Sequence, residues 1–133
     1  MELLVKINKK LEQRRAILNT IIQNVGIQNK ILKSAQILAE CLKLGGKIIT
    51  AGNGGSASQS EHFSSEMMGR LKNSRTPFPS LSLSSNASLL TCIGNDFGFE
   101  RIFSRQIEGI GTTKDVFLAF TTSCKSNPLA ELI

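Results

Sequence analysis

The twenty residues from Lys47 to Glu66, KIITAGNGGSASQSEHFSSE, constrain the fold more than any other part of the chain. Ile48 and Ile49 are apolar and β-branched, which suits a buried strand. Gly52-Asn53-Gly54-Gly55 follows at once, and glycine lets the backbone turn sharply and lets a ligand come close. Ser56 then reads as a helix N-cap, with Gln59 completing a capping box. A strand that feeds a glycine turn at a helix N-terminus gathers free N–H groups and the positive end of the helix dipole, and so forms an anion site. An ordinary tight turn has the same residues, and the loop is neither GxGxxG nor GxxxxGK[ST].

The remaining elements follow from periodicity. Leu4, Ile7, Leu11, Leu18, Ile21, Ile22 and Val25 recur at helical steps, which predicts an amphipathic helix over about 2–25 that ends or bends at Gly26. Ile27, Ile31, Leu32, Ala35, Leu38, Ala39 and Leu42 predict a second helix, closed by Gly45-Gly46. Residues 57–70 read as a third helix, with His62 and Glu66 one turn apart on one face. A polar segment with Pro77 and Pro79 leads to a strand over Ser80–Ser84. A helical turn capped by Asn86 or Ser85 follows and breaks at Gly94-Asn95-Asp96. A helix over about 99–108 ends at Gly109–Gly111. Asp115–Phe120 reads as a buried third strand, and Asn127-Pro128 opens a last helix. Strands alternating with helices predict an α/β fold with a parallel, doubly wound sheet flanked by helices and preceded by two long N-terminal helices. The chain reads as one domain over 1–133, with a helical region at 1–46 and an α/β core at 47–133.

On a parallel sheet ligands bind at the carboxyl ends of the strands. Gly52–Ser56 and the hydroxyl-rich Thr121–Ser126 both leave such ends. Their hydroxyls and amides suit a phosphate, although a polar loop is by itself a common surface feature.

Charge is uneven. Residues 1–47 hold nine Lys or Arg and three Glu, whereas residues 48–133 hold seven of each sign. The basic part contains no aromatic residue to stack a base, so it reads as a solvated helix face and nucleic acid is not expected as a partner. No apolar run reaches the length of a membrane span, and no small-residue cleavage site follows the N-terminal helix. Cys41, Cys92 and Cys124 are widely spaced and odd in number, which predicts free thiols in a reducing cytoplasm. The surplus apolar stripe of the first two helices predicts an oligomer.

In combination, AGNGGSASQSEHFSSEMMGR, IGNDFGFERIFSRQIE and TTSCKS resemble the phosphoheptose isomerase family of sugar-isomerase (SIS) domain proteins. The resemblance implies isomerisation of sedoheptulose 7-phosphate to D-glycero-D-manno-heptose 7-phosphate through an enediol, for lipopolysaccharide or surface glycans. It also implies a cytoplasmic homotetramer with active sites at subunit interfaces, zinc in some members and no organic cofactor. By resemblance, Asn53, Gly54, Gly55 and Ser56 form a substrate loop, and Asn95 and Asp96 make a second contact. Thr121, Thr122, Ser123 and Ser126 hold the phosphate, Glu66 is the acid/base with His62 as a second catalytic residue beside it, and His62 with Glu66 supplies two zinc ligands. The family pattern carries glycine where Cys124 stands and serine where Thr121 stands, which predicts weaker phosphate binding. It also continues past Ile133 with further strands, a Gln and a His, so the C-terminal part of the fold reads as missing. A second reading is a non-catalytic SIS module, similar to the tetrameric protein that binds the replication initiator DnaA.

Overall fold

The computed structural model describes residues 1–123 and 127–130. They fall into two units, Met1–Ile37 and the part from Leu38 onward.

The first unit holds α1 (Glu2–Gln23) and the greater part of α2 (Val25–Lys43). The break between them is at Asn24, not at Gly26, which lies inside α2. Asn24 adopts an extended conformation, and its Oδ1 accepts from the Ile27 amide at 3.0 Å. Gln28 Nε2 donates back to the Ile22 carbonyl at 2.7 Å. Side-chain hydrogen bonding, which periodicity does not register, thus decides where one helix becomes two. No residue of α1 is buried, and Leu4, Ile7, Leu11, Leu18 and Ile22 are all exposed.

The second unit begins with the end of α2. There Gly46 N–H bonds the Cys41 carbonyl and Gly45 N–H bonds that of Leu42, with Gly45 at φ +76°. This is a Schellman stop, as the glycine pair predicted. Then come β1 (Ile48–Gly52), α3 (Gly55–Met68), β2 (Ser80–Ser82), α4 (Ala87–Phe97), a 3₁₀ turn (Phe99–Arg101), α5 (Ser104–Ile110), β3 (Val116–Phe120) and α6 (Asn127–Ala130). The sheet order is β2-β1-β3, all parallel, with β1 in the centre. Asn86 caps α4 by accepting from Leu89 N–H. Gly94 does not break α4, which runs on to Phe97 and ends at Gly98, where φ is +94°. The helix expected over 99–108 divides into the 3₁₀ turn and α5.

The two faces of the sheet are chemically different. Ile49, Ala51 and Leu83 face a core that contains Ile93, Ile102, Phe103 and Leu129. The opposite face meets α3 through hydroxyls. Thr50 Oγ1 donates to the Ser60 carbonyl at 3.0 Å and lies 2.9 Å from Ser64 Oγ. Ser60 Oγ lies 2.8 Å from Ser82 Oγ, and Ser80 Oγ donates to Ser64 Oγ at 3.1 Å. Ser56, Ser60 and Ser64 recur every four residues, so one buried stripe of α3 is all serine. The hydroxyls of Thr50, Ser60, Ser64, Ser80 and Ser82 each find a partner, which burial of polar groups requires. β3 is half-buried instead of buried, because among the described residues it has a sheet neighbour on one side only.

At the amino ends of β1 and β3, the Asp115 carboxylate accepts from Lys47 Nζ at 2.6 Å, Lys47 N–H at 2.9 Å and Thr112 N–H at 2.8 Å. Burial alone raises the carboxyl, but the hydrogen bonds from Lys47 and Thr112 outweigh it and bring it from 3.8 to about 2. A depressed carboxylate stabilises the fold fully above its unfolded value, and the effect is lost as pH falls from 3.8 through about 2. Asp115→Asn is expected to cost about 1–3 kcal/mol at pH 7 and to flatten this acid limb. Urea unfolding from pH 2 to 7 measures both; an unchanged acid limb refutes the assignment.

Candidate sugar-phosphate site at the carboxyl edge of the sheet

The glycine loop joins β1 to α3. Gly52 is there because its neighbour leaves no room: a Cβ on it meets the Ser56 carbonyl oxygen at 2.3 Å and the carbonyl carbon at 2.5 Å. Gly54, at φ +58°, meets no such obstacle, so its need for glycine is conformational. Gly54 is the N-cap of α3 and makes no side-chain cap bond. The N-cap expected at Ser56 is therefore displaced. The positive φ of Gly54 turns the chain two residues sooner, and Ser56 lies buried in the first turn. Ser56 N–H is taken by the Asn53 carbonyl and Ala57 N–H by that of Gly54. Among the described residues the amides of Gly54 and Gly55 have no such partner, and they are the donors the loop can offer an anion.

Two further segments reach this edge. Ser84, just past β2, donates through Oγ to the Gly52 carbonyl at 2.8 Å and accepts from Gly52 N–H at 3.1 Å. The register Gly52↔Phe120 brings Asn53 and Thr121 off the sheet at the same level. Thr121, Thr122 and Ser123 are exposed there. Phe63 of α3 packs on Phe120, with ring centroids 5.9 Å apart, and fixes the end of β3 against the helix. Cys124 and Ser126 lie outside the described residues.

The other expected site residues stand apart from these loops. His62 Nε2 lies 3.4 Å from Glu66 Oε1, with the imidazole largely exposed and the carboxylate about a third exposed. Asn95 and Asp96 are exposed on α4. Asn95 Nδ2 donates to Asp96 Oδ1 at 2.7 Å, and Cys92 Sγ lies 3.7 Å from Asp96 Oδ2. No hydrogen bond ties either pair to the loops among the described residues. Among them, too, no three His, Cys, Asp or Glu form a group able to hold a metal. A zinc ion takes four donors, so His62 and Glu66 by themselves do not fit one. Ser84 was not singled out from sequence. Its signal is the alternation SLSLSS, which sets hydroxyls on one face of the strand and continues past its end.

A central parallel strand, a glycine turn into a helix and hydroxyl-bearing loops at one edge agree with what comparison with known proteins finds. The sequence pattern of the SIS domain matches residues 11–133. The chain belongs to the SIS domain family. Among relatives of this SIS domain, phosphoheptose isomerase 1 of Campylobacter jejuni is 45% identical over 107 residues, covering 80% of the chain and 58% of that protein. The phosphoheptose isomerase of Cytophaga hutchinsonii is 40% identical over 123 residues, covering 92% and 64%. The solved phosphoheptose isomerase from Francisella tularensis superposes with a TM-score of 0.87 at 32% identity, over 97% of this chain and 66% of that one. The Neisseria gonorrhoeae enzyme superposes at 0.80 with 28% identity, over 98% and 64%. The SIS domain thus spans about three fifths of the curated relatives it matches.

Proposed function

We propose that this SIS domain is the sugar-phosphate-binding part of a phosphoheptose isomerase, which interconverts sedoheptulose 7-phosphate and D-glycero-D-manno-heptose 7-phosphate for lipopolysaccharide or surface glycan synthesis. The observation that carries the reading is the 45% identity to an isomerase of that name. In this reading the phosphate sits between the Gly54 and Gly55 amides and the hydroxyls of Thr121, Thr122 and Ser123, where charge-assisted hydrogen bonds favour it. Asn53, Asn95 and Asp96 contact the sugar. Glu66 accepts a proton from one carbon of the C1–C2 pair and returns it to the other, as an enediol mechanism requires of a carboxylate. Zinc on His62 and Glu66 needs donors from outside the described residues. The compartment proposed is the cytoplasm, in keeping with the unpaired Cys41 and Cys92.

The test is thermal. Sedoheptulose 7-phosphate is expected to raise the melting temperature, and sedoheptulose at the same concentration to do so far less. Equal shifts overturn the phosphate assignment.

The assembly proposed is a homotetramer built through the N-terminal helices. Support comes from α1, whose apolar residues are exposed along its whole length, an arrangement typical of an interaction surface. Light scattering at micromolar concentration is expected to give a multiple of the chain mass. A stable monomer refutes it.

A further inference from the structure

We infer that Arg75 is a positioning residue for Glu66: its guanidinium clamps the last turn of α3 and so sets where the Glu66 carboxylate stands. The inference rests on the proposed acid/base role of Glu66. A helix leaves its final carbonyls without intrahelical partners, and its C-terminus is the negative end of the dipole. Arg75 answers both. Its Nη2 donates to the Glu66 carbonyl at 2.7 Å and its Nη1 to the Met67 carbonyl at 2.9 Å. A third bond, Nη1 to the Thr76 carbonyl at 3.1 Å, folds the guanidinium onto its own segment.

The cation is itself held. It lies over the Phe78 ring, 4.1 Å from the centroid, a stacking that a guanidinium makes well. Phe78 N–H also bonds the Met67 carbonyl at 3.0 Å, and Pro77 and Pro79 stiffen the chain on either side of it. The segment after α3 therefore grips the helix at the residue that bears the proposed proton carrier. The phosphate loop lies at the other end of α3, so the clamp acts on the acid/base without acting on the anion donors. Lysine supplies the charge but not the fork that spans two carbonyls.

His62 is the only histidine, so its ring resonances are unambiguous, and its Nε2 lies 3.4 Å from Glu66 Oε1. The experiment measures the change that Glu66→Gln produces in the His62 Hε1 chemical shift, in three backgrounds. The parent is expected to give the largest change, Arg75→Lys an intermediate one, and Arg75→Ala less than half the parental value. An undiminished change in Arg75→Ala overturns the inference. If Arg75→Ala does not fold, the lysine variant decides alone, and a full parental change there overturns it. The measurement uses no substrate, so it stands or falls separately from proton transfer by Glu66, which substrate hydrogen exchange reports.

Discussion

Glu66→Gln is expected to abolish isomerisation while leaving sugar-phosphate binding in place. Glutamine keeps the shape and hydrogen-bonding reach of the side chain but does not take up the proton, and loss of one acid/base group typically costs about 10²–10⁴ in rate. Binding survives because the proposed phosphate donors lie at the opposite end of α3, on Gly54 and Gly55 and on the loop after β3. Exchange of the substrate C1 or C2 hydrogen with deuterated water reads the step directly, in the chain continued to the length of its relatives. The melting-temperature shift with sedoheptulose 7-phosphate reads binding in the same samples. Exchange at the parental rate moves the role elsewhere, with Asp96 the next carboxylate to test.

Gly52→Ala is expected to be strongly destabilising for a single-methyl change. The added Cβ falls 2.3 Å from a main-chain oxygen and 2.8 Å from Ser56 Cβ. Backbone does not rotate away as a side-chain tip does, so the first turn of α3 must move. Overpacking costs about 1–3 kcal/mol or somewhat more, and this case belongs at the upper end. For a chain of this length that is a fall of roughly 10 °C in melting temperature. Phosphate stabilisation is expected to be lost with it, because the displaced turn carries the proposed anion donors. Gly55→Ala is the control: its Cβ meets nothing within 4 Å, and alanine favours a helix over glycine. Equal losses from both changes refute the steric account.

The fold was legible where a signal is local. Ile48-Ile49 followed by a glycine cluster gave β1 and its turn, and the Gly45-Gly46 pair gave the end of α2 through a motif fixed by those two residues. The breaks expected at Gly26 and Gly94 and the cap expected at Ser56 were misread. Gly26 and Gly94 carry the compositional mark of a break, yet a glycine inside a helix costs only about 1 kcal/mol. Those boundaries were instead set by the side-chain oxygen of Asn24 and by positive φ at Gly54 and Gly98, whereas the Asn86 cap was legible. The site was partly legible. The loops followed from the glycines and hydroxyls, and the rule for parallel sheets joined them at one edge. Ser84 and Arg75 were not, because their partners are main-chain atoms. A hydrogen bond to a carbonyl nine residues away, such as Arg75 to Glu66, leaves no mark on residue identity.

The serine face of α3 bears on how the helix can move. Aliphatic side chains pressed on a sheet let a helix creep along its axis by a fraction of a turn, since the dispersion attraction given up on one side is regained on the other. Hydroxyls do not exchange partners so freely. A slide of about 1.5 Å, one residue's rise, draws Ser60 away from Thr50 and Ser82, and Ser64 away from Thr50 and Ser80, all at once. Four hydrogen bonds are then lost together, at about 0.5–1.5 kcal/mol each. The helix is pinned lengthwise, and under the proposed function the spacing between the Gly54–Gly55 loop and the Glu66 carboxylate three turns along is a fixed ruler for the length of the sugar.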